Sequence, residues 1–222
     1  NEQRENYGRY NGVPSPDDLA RYFLLDDADR ALIAQKRGKH NRLGFAVQLG
    51  TVRYLGTFLE DPLAVPMPVL HTLARQLRIK TFEDENPYST GEQRWEHASE
   101  ICAHYGYIEI TERQVGFHLT RWLYALCWTG TDRPSVLFDR AVTWLVTHKV
   151  LLPGCSTLER YIARLRGRVE ERLWHSLGQG ISRCVSRGGV VDACQQAAVQ
   201  FQRQQVDAAD PHAHDGAARQ AF

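Results

Sequence analysis

The sequence lacks most of the signals that mark secreted proteins, membrane proteins and common enzymes. Its five cysteines, Cys102, Cys127, Cys155, Cys184 and Cys194, are odd in number, widely spaced and without a Cys-x-x-Cys pair. That pattern excludes a disulfide framework and fits free thiols in a reducing cytosol. No apolar run approaches the roughly 20 residues that cross a bilayer, and no signal-peptide pattern is present. Gly-x-Ser-x-Gly is absent, no glycine-rich loop follows a strand, and no convincing strand is visible anywhere. Lysine is scarce: Lys36, Lys39, Lys80 and Lys149 are the only ones, so arginine supplies most of the basic charge. Arginine is the better fork for phosphates and guanine edges, although a high-GC genome gives the same bias. The formal net charge is only +1, so any affinity for nucleic acid must rest on local clustering.

What is present is one clustered stretch. From Ala31 to Leu59 there is no Asp or Glu, while Lys36, Arg37, Lys39, Arg42 and Arg53 are basic. The periodicity predicts a helix from about His40 to Tyr54 after a turn at Gly38. At 100° per residue, Leu43, Ala46, Val47, Gly50 and Tyr54 form one stripe, and Phe45, Leu49 and Val52 an opposite one. A helix apolar on two faces is sandwiched in a core, and Gly44 and Gly50 would let neighbours approach closely. Arg42 and Arg53 share a flank about 16 Å apart along the axis, a spacing that suits separated phosphates. The alternative is that both arginines snorkel from a buried helix.

The chain of 222 residues suits one large domain or two small ones. Residues 1–15 read as an irregular arm. A first helical module is expected over 16–88. In it Pro16-Asp17-Asp18 opens a helix, Asp26 or Asp27 caps a second, the basic helix follows, and a fourth spans about Val69 to Arg78. Thr81 to Gly91, with Asn86-Pro87, reads as a linker.

A second module is expected over 89–177, with helices at about Glu92–Tyr105, Glu112–Trp128 and Asp132–His148. Leu151-Leu152-Pro153-Gly154 reads as a tight connector, and Ser156-Thr157-Leu158-Glu159 as a capping box. The next helix buries Leu158, Ile162, Leu165, Val169 and Leu173, and repeats Arg160, Arg164, Arg168 and Arg172 every four residues. A short turn followed by a capped basic helix is the pattern of a helix-turn-helix. A solvated amphipathic helix is the alternative, and Glu170 and Glu171 weaken the stripe. Residues 178–222 contain no leucine and are rich in Gln, Ala and Gly, which predicts a partly disordered tail.

His97, Cys102 and His104 match no usual zinc spacing, and Asp26, Asp27 and Asp29 look like caps. No catalytic residue, metal ligand, cofactor or small-molecule substrate is assigned from the residues.

The resemblance rests on a long ordered set of motifs. They are Asp26-Asp27-Ala28-Asp29-Arg30, then Arg37-Gly38-Lys39-His40-Asn41-Arg42-Leu43-Gly44-Phe45-Ala46-Val47-Gln48-Leu49, then Arg53-Tyr54-Leu55-Gly56 and Trp95-Glu96-His97-Ala98. Further on come Arg121-Trp122-Leu123-Tyr124, Arg133-Pro134-Ser135-Val136-Leu137-Phe138-Asp139, Trp144-Leu145-Val146, Lys149-Val150-Leu151-Leu152-Pro153-Gly154, Thr157-Leu158-Glu159-Arg160 and Glu171-Arg172-Leu173-Trp174. With these, roughly residues 7 to 177 closely resemble the N-terminal region of Tn-three-family (class II, replicative) transposases. The resemblance implies an all-α fold with tandem DNA-binding modules that recognise transposon terminal inverted repeats. It places the metal-dependent strand chemistry in a ribonuclease-H-like region that is absent here. The expected partner is double-stranded DNA at transposon ends, with full-length transposase as a second, and the expected location is the cytoplasm, on the nucleoid when DNA-bound. The expected contacts are Arg37, Lys39, Asn41, Arg42 and Arg53 in the first module, and Ser156, Thr157, Arg160, Arg164 and Arg168 in the second. The change of character after Leu177 suggests a truncated or frame-shifted reading frame.

Overall fold

Ten consecutive residues, Leu43 through Val52, are buried along a single helix, and the first part of the molecule is arranged around it. The computed structural model describes residues 7–79, 88, 92–130 and 132–186. In chain order the helices are α1 (Pro16–Tyr22), α2 (Asp27–Ala34), α3 (Lys39–Leu55), α4 (Met67–Gln76), α5 (Gln93–Tyr105), α6 (Arg113–Thr129), α7 (Pro134–Thr147) and α8 (Cys155–Ser186). Two short strands, β1 (Ile108–Glu109) and β2 (Val150–Leu151), pair in parallel. The fold is mostly helical, as expected. The strands correct the expectation of none; two residues are too few for alternation to register in a sequence.

The described residues fall into two compact units. One holds those within Asn1–Gly116 and Val142–Cys155, the other those within Phe117–Ala141 and Ser156–Phe222. The sequence division at 88/89 therefore differs from the grouping by packing, because α5 lies against α3 and buries His97 and Ile101 in the first unit.

In the first unit the helix starts are written locally. Ser15 caps α1, with the Asp18 amide donating to Ser15 Oγ at 3.1 Å and the Ser15 amide to Asp18 Oδ2 at 3.3 Å. Asp26 and Asp29 form the same reciprocal box on α2. Each box satisfies two amides that a helix end leaves without partners. α3 begins after Gly38 (φ 86°) and ends at Gly56 (φ 74°), left-handed conformations that favour glycine.

The two glycines inside α3 admit rings. A Cβ on Gly44 would lie 2.3 Å from the Tyr88 ring, and one on Gly50 2.4 Å from the Phe23 ring. The roughly 1 kcal/mol that each glycine costs the helix is offset by the burial of an aromatic side chain. Tyr88, inside the segment expected to be a linker, is thus a core residue; the rest of that segment (81–87 and 89–91) lies outside the described residues. Around α3 the core takes Phe23, Leu25, Leu32, Ile33, Val69, Leu73 and Ile101.

The second unit is smaller and simpler. Its buried residues are Leu119 and Leu123 on α6, Leu137, Phe138 and Ala141 on α7, and Leu158, Ile162, Leu165 and Val169 on α8. Those on α8 follow the first four positions of the expected inward face, while the fifth, Leu173, is only half-buried. A hydroxyl–hydroxyl bond from Thr120 to Tyr161 joins α6 to α8.

Two expectations near α8 need correction. The helix starts at Cys155, so Ser156 lies inside the first turn rather than at the cap. The stretch between α7 and α8 also contains β2, whose pairing with β1 fixes it in the first unit. That connection exceeds the three- or four-residue turn of a helix-turn-helix. α8 continues past Leu177 to Ser186, and the remainder of the expected tail, 187–222, lies outside the described residues.

Candidate nucleic-acid interface

The basic residues around the start of α3 divide into those whose side chains are bonded within the fold and those without such a bond among the described residues. Arg42 is exposed but bonded. Its Nε donates to the Lys36 carbonyl at 2.9 Å, and a terminal nitrogen donates to the Ala34 carbonyl at 3.1 Å. It thereby satisfies acceptors that the C-terminal end of α2 leaves open, where a cation is also favoured by the helix dipole. Asn41 donates to the Arg37 carbonyl at 2.9 Å. Lys36 is ion-paired with Glu100 of α5 and lies 4.8 Å from the Phe45 ring centre.

Arg53 is held more firmly still. Its two terminal nitrogens meet the two oxygens of Asp29, each at 2.8 Å, and its guanidinium lies 5.2 Å from the Tyr105 ring centre. The Tyr105 hydroxyl donates to Asp29 Oδ1 at 2.6 Å. The Asp29 side chain is 1% exposed and that of Arg53 23%. Burial raises the Asp29 pKa, but the hydrogen bonds from Arg53 and Tyr105 outweigh it and hold the carboxyl below its ordinary value. For Arg53, burial opposes the charge and the Asp29 bonds more than restore it. Burial and the bond to Asp29 push the Tyr105 hydroxyl well up.

Arg37 and Lys39 are what remains. Both are exposed, and neither side chain has an ion pair or hydrogen bond among the described residues. They flank Gly38 at the N-terminus of a 17-residue helix with no side-chain cap and no acidic residue in its first turn. Free helix amides and two cations make this corner electropositive.

Elsewhere in the first unit Gln48, Tyr88 and His97 form a buried polar group. Gln48 donates to the Tyr88 hydroxyl at 2.9 Å and to the Arg94 carbonyl at 3.0 Å, and Tyr88 bonds His97 Nδ1 at 2.8 Å. Burial, helped by the Lys36 charge, lowers the His97 pKa, while Glu100 opposes it.

On α8 the arginines are distributed otherwise. Arg160, Arg164, Arg168 and Arg172 are all exposed, as are Ser156 and Thr157 in the first turn. Arg160 Nε donates to the Ser156 carbonyl at 3.1 Å and Arg164 Nε to the Arg160 carbonyl at 3.3 Å. Both bonds use Nε, so the terminal nitrogens remain outward. No carboxylate pairs with any of the four among the described residues; Glu170 pairs instead with Arg166 at 3.7 Å. A step of four residues rises about 6 Å and turns about 40°. Arg160, Arg164 and Arg168 therefore stay within about 80° of arc and 12 Å of length, and Arg172 drifts off that face. Trp174, 71% exposed, and Leu177, 51% exposed, lie farther along the same helix.

Sequence reasoning named the exposed arginines but not their competitors. The partners of Arg53 lie 24 residues earlier, at Asp29, and 52 residues later, at Tyr105. Only the role of Asp29 as a cap was visible locally. Among the described residues no three metal-ligating side chains converge, and no helix is long and apolar enough to cross a membrane.

Comparison with known proteins agrees with the motif reading. The family described as "Domain of unknown function (DUF4158)" matches residues 1–165. The chain is 46% identical over 177 residues to the transposase for transposon gamma-delta of Escherichia coli K12, covering 79% of the chain and 18% of that protein. It is 35% identical over 173 residues to the Escherichia coli transposase for transposon Tn21, covering 76% of the chain and 17% of that protein. To the transposase for transposon Tn1546 of Enterococcus faecium it is 26% identical over 165 residues, covering 74% of the chain and 16% of the relative.

Proposed function

The chain belongs to the DUF4158 family and corresponds to the N-terminal region of a Tn-three-family transposase, and from that premise we propose that it binds double-stranded DNA at transposon terminal inverted repeats. It spans less than a fifth of the length of these relatives, so strand cleavage and transfer are not assigned to it. The observation that carries the proposal is the stripe Arg160, Arg164 and Arg168, exposed and without carboxylate partners among the described residues, on a helix that buries another face. A cation left unpaired on a rigid helix is available to phosphate at little reorganisation cost. Arg37 and Lys39 form a second cationic site. The division of labour we assign is phosphate anchoring by these five side chains, with Ser156 and Thr157 in the first turn of α8 closest to the groove.

The test is a mobility-shift titration on a duplex carrying the gamma-delta terminal repeat against a scrambled duplex. Five phosphate contacts give a slope of about −4.5 for log K against log salt. Preference for the repeat with a slope near this value is the expected result. Equal affinity for both duplexes rejects end recognition, and a slope near zero rejects the phosphate contacts.

A second reading, pairing with a full-length transposase, is favoured by the exposed Trp174 and Leu177, since an aromatic beside an aliphatic at helical spacing is a common protein anchor. Co-purification with the full-length protein that is lost in Trp174→Ala supports it; co-purification unaffected by that change removes the role of this face.

A further inference from the structure

We propose that Asp29, Arg53 and Tyr105 are positioning residues for the DNA contacts at Arg37 and Lys39, and that Arg53 does not itself touch DNA. The inference rests on the DNA-binding reading above. α2 is only eight residues long and is fastened to α3 at both ends. At its C-terminal end Arg42 holds the Ala34 and Lys36 carbonyls. At its N-terminal end Asp29 is gripped by both nitrogens of Arg53, from the far end of α3.

α5 braces the same helix pair. Tyr105 bonds Asp29 and stacks on Arg53, while Glu100 pairs with Lys36. The Asp29 carboxylate accepts four hydrogen bonds: two from Arg53, one from Tyr105 and one from the Asp26 amide. No acceptor capacity is wasted, and the angle between α2 and α3 has little freedom left. Arg37 and Lys39 sit in the turn between those helices, so their positions follow from that angle.

The charge arithmetic separates positioning from direct contact. If Arg53 met phosphate as a charge, Arg53→Lys would retain most of the affinity, and Asp29→Asn, which removes a negative charge, would tighten binding. If the three residues position the corner, both changes weaken binding, because a lysine lacks the planar fork and an amide cannot accept from all four donors.

The experiment measures affinity of the full chain for the terminal-repeat duplex over a salt series, at a temperature where circular dichroism shows each variant as helical as the wild type. Asp29→Asn and Arg53→Lys are each expected to bind about tenfold more weakly, with the salt slope shallower by about two, the change for losing two phosphate contacts. Wild-type affinity in Arg53→Lys, or equal or tighter binding in Asp29→Asn, overturns the proposal. If either change unfolds the chain, Tyr105→Phe decides, since it keeps the stacked ring and removes only the hydroxyl. It is expected to bind at least about twofold more weakly, and unchanged binding overturns the proposal. A wild-type chain that shows no salt-dependent DNA binding sinks the DNA-binding reading itself, whereas wild-type binding that none of the variants alters sinks only the positioning role.

Discussion

α3 and α8 are both arginine-bearing helices with glycines in their interiors, and they treat each in opposite ways. α3 is surrounded: residues 43 to 52 are buried, its glycines receive the Tyr88 and Phe23 rings, and Arg42 and Arg53 are committed to α2. α8 has one buried face: Arg160, Arg164, Arg168 and Arg172 are exposed, and a Cβ on Gly167 would meet nothing within 4 Å. A cation beside a crowded helix is drawn into capping and pairing, because buried carbonyls and carboxylates need donors. A cation on a half-exposed helix has no such demand on it. Charge density in sequence therefore overstates how many cationic side chains of the first region stay clear of the fold's own hydrogen bonds and ion pairs, and describes the exposure of Arg160, Arg164 and Arg168 fairly.

The largest expected difference comes from truncation inside the surrounded helix. Phe45→Ala removes a fully buried ring and is expected to cost about 3–5 kcal/mol, read as a fall in the thermal midpoint; a loss under about 1 kcal/mol would mean α3 is not the centre of its core. Next come the glycines, where the two helices should respond with opposite signs. Gly50→Ala forces a methyl against Phe23 and is expected to destabilise by about 1–3 kcal/mol. Gly167→Ala enters open space on a helix and is expected to stabilise by up to about 1 kcal/mol. Equal effects at the two sites would break the comparison.

Much of this contrast was written locally and some was not. The 3.6-residue periodicity located the helices within a few residues. The two-sided apolar pattern identified α3 as a core helix, and Gly44 and Gly50 as places of close approach. Tyr88 was hidden, because it stands alone among polar and turn-forming residues and its burial depends on a slot made by Gly44, far away in sequence. The commitment of Arg53 was hidden for the same reason: side-chain pairing between distant segments leaves no periodic trace. The start of α8 at Cys155 shows that a strong cap signature at Ser156 marks a helix end only to within a residue or two. The stripe on α8 was legible because it needs nothing beyond its own helix.

A smaller effect separates the units by pH. The lowered pKa values of Asp29 and His97 both lie in the first unit. A depressed pKa means that the unfolded chain binds the proton more readily, so stability is present above the ordinary value and is lost as pH falls through the folded one. His97 acts first, as pH drops below the ordinary histidine value of about 6.5, and Asp29 follows below the ordinary carboxylate value of about 3.9. Urea midpoints are expected to fall between about pH 7 and pH 5, and His97→Gln should remove most of that early loss. A midpoint that rises on acidification would contradict the sign of both shifts.

The smallest effect is the most direct test of what an arginine is for in each helix. Arg42→Gln leaves the Ala34 and Lys36 carbonyls without their guanidinium donor and is expected to lower stability by about 1 kcal/mol. Arg164→Gln removes a side chain whose one bond among the described residues is to the Arg160 carbonyl of its own helix, so stability should stay within about 0.5 kcal/mol. Its cost should appear in binding instead, as a salt slope shallower by about 0.9 for one lost phosphate contact. Thermal melts and salt-series titrations of the two variants decide the matter together. A destabilised Arg164→Gln with an unchanged slope would return that arginine to the structural class and leave α8 no better a DNA surface than α3.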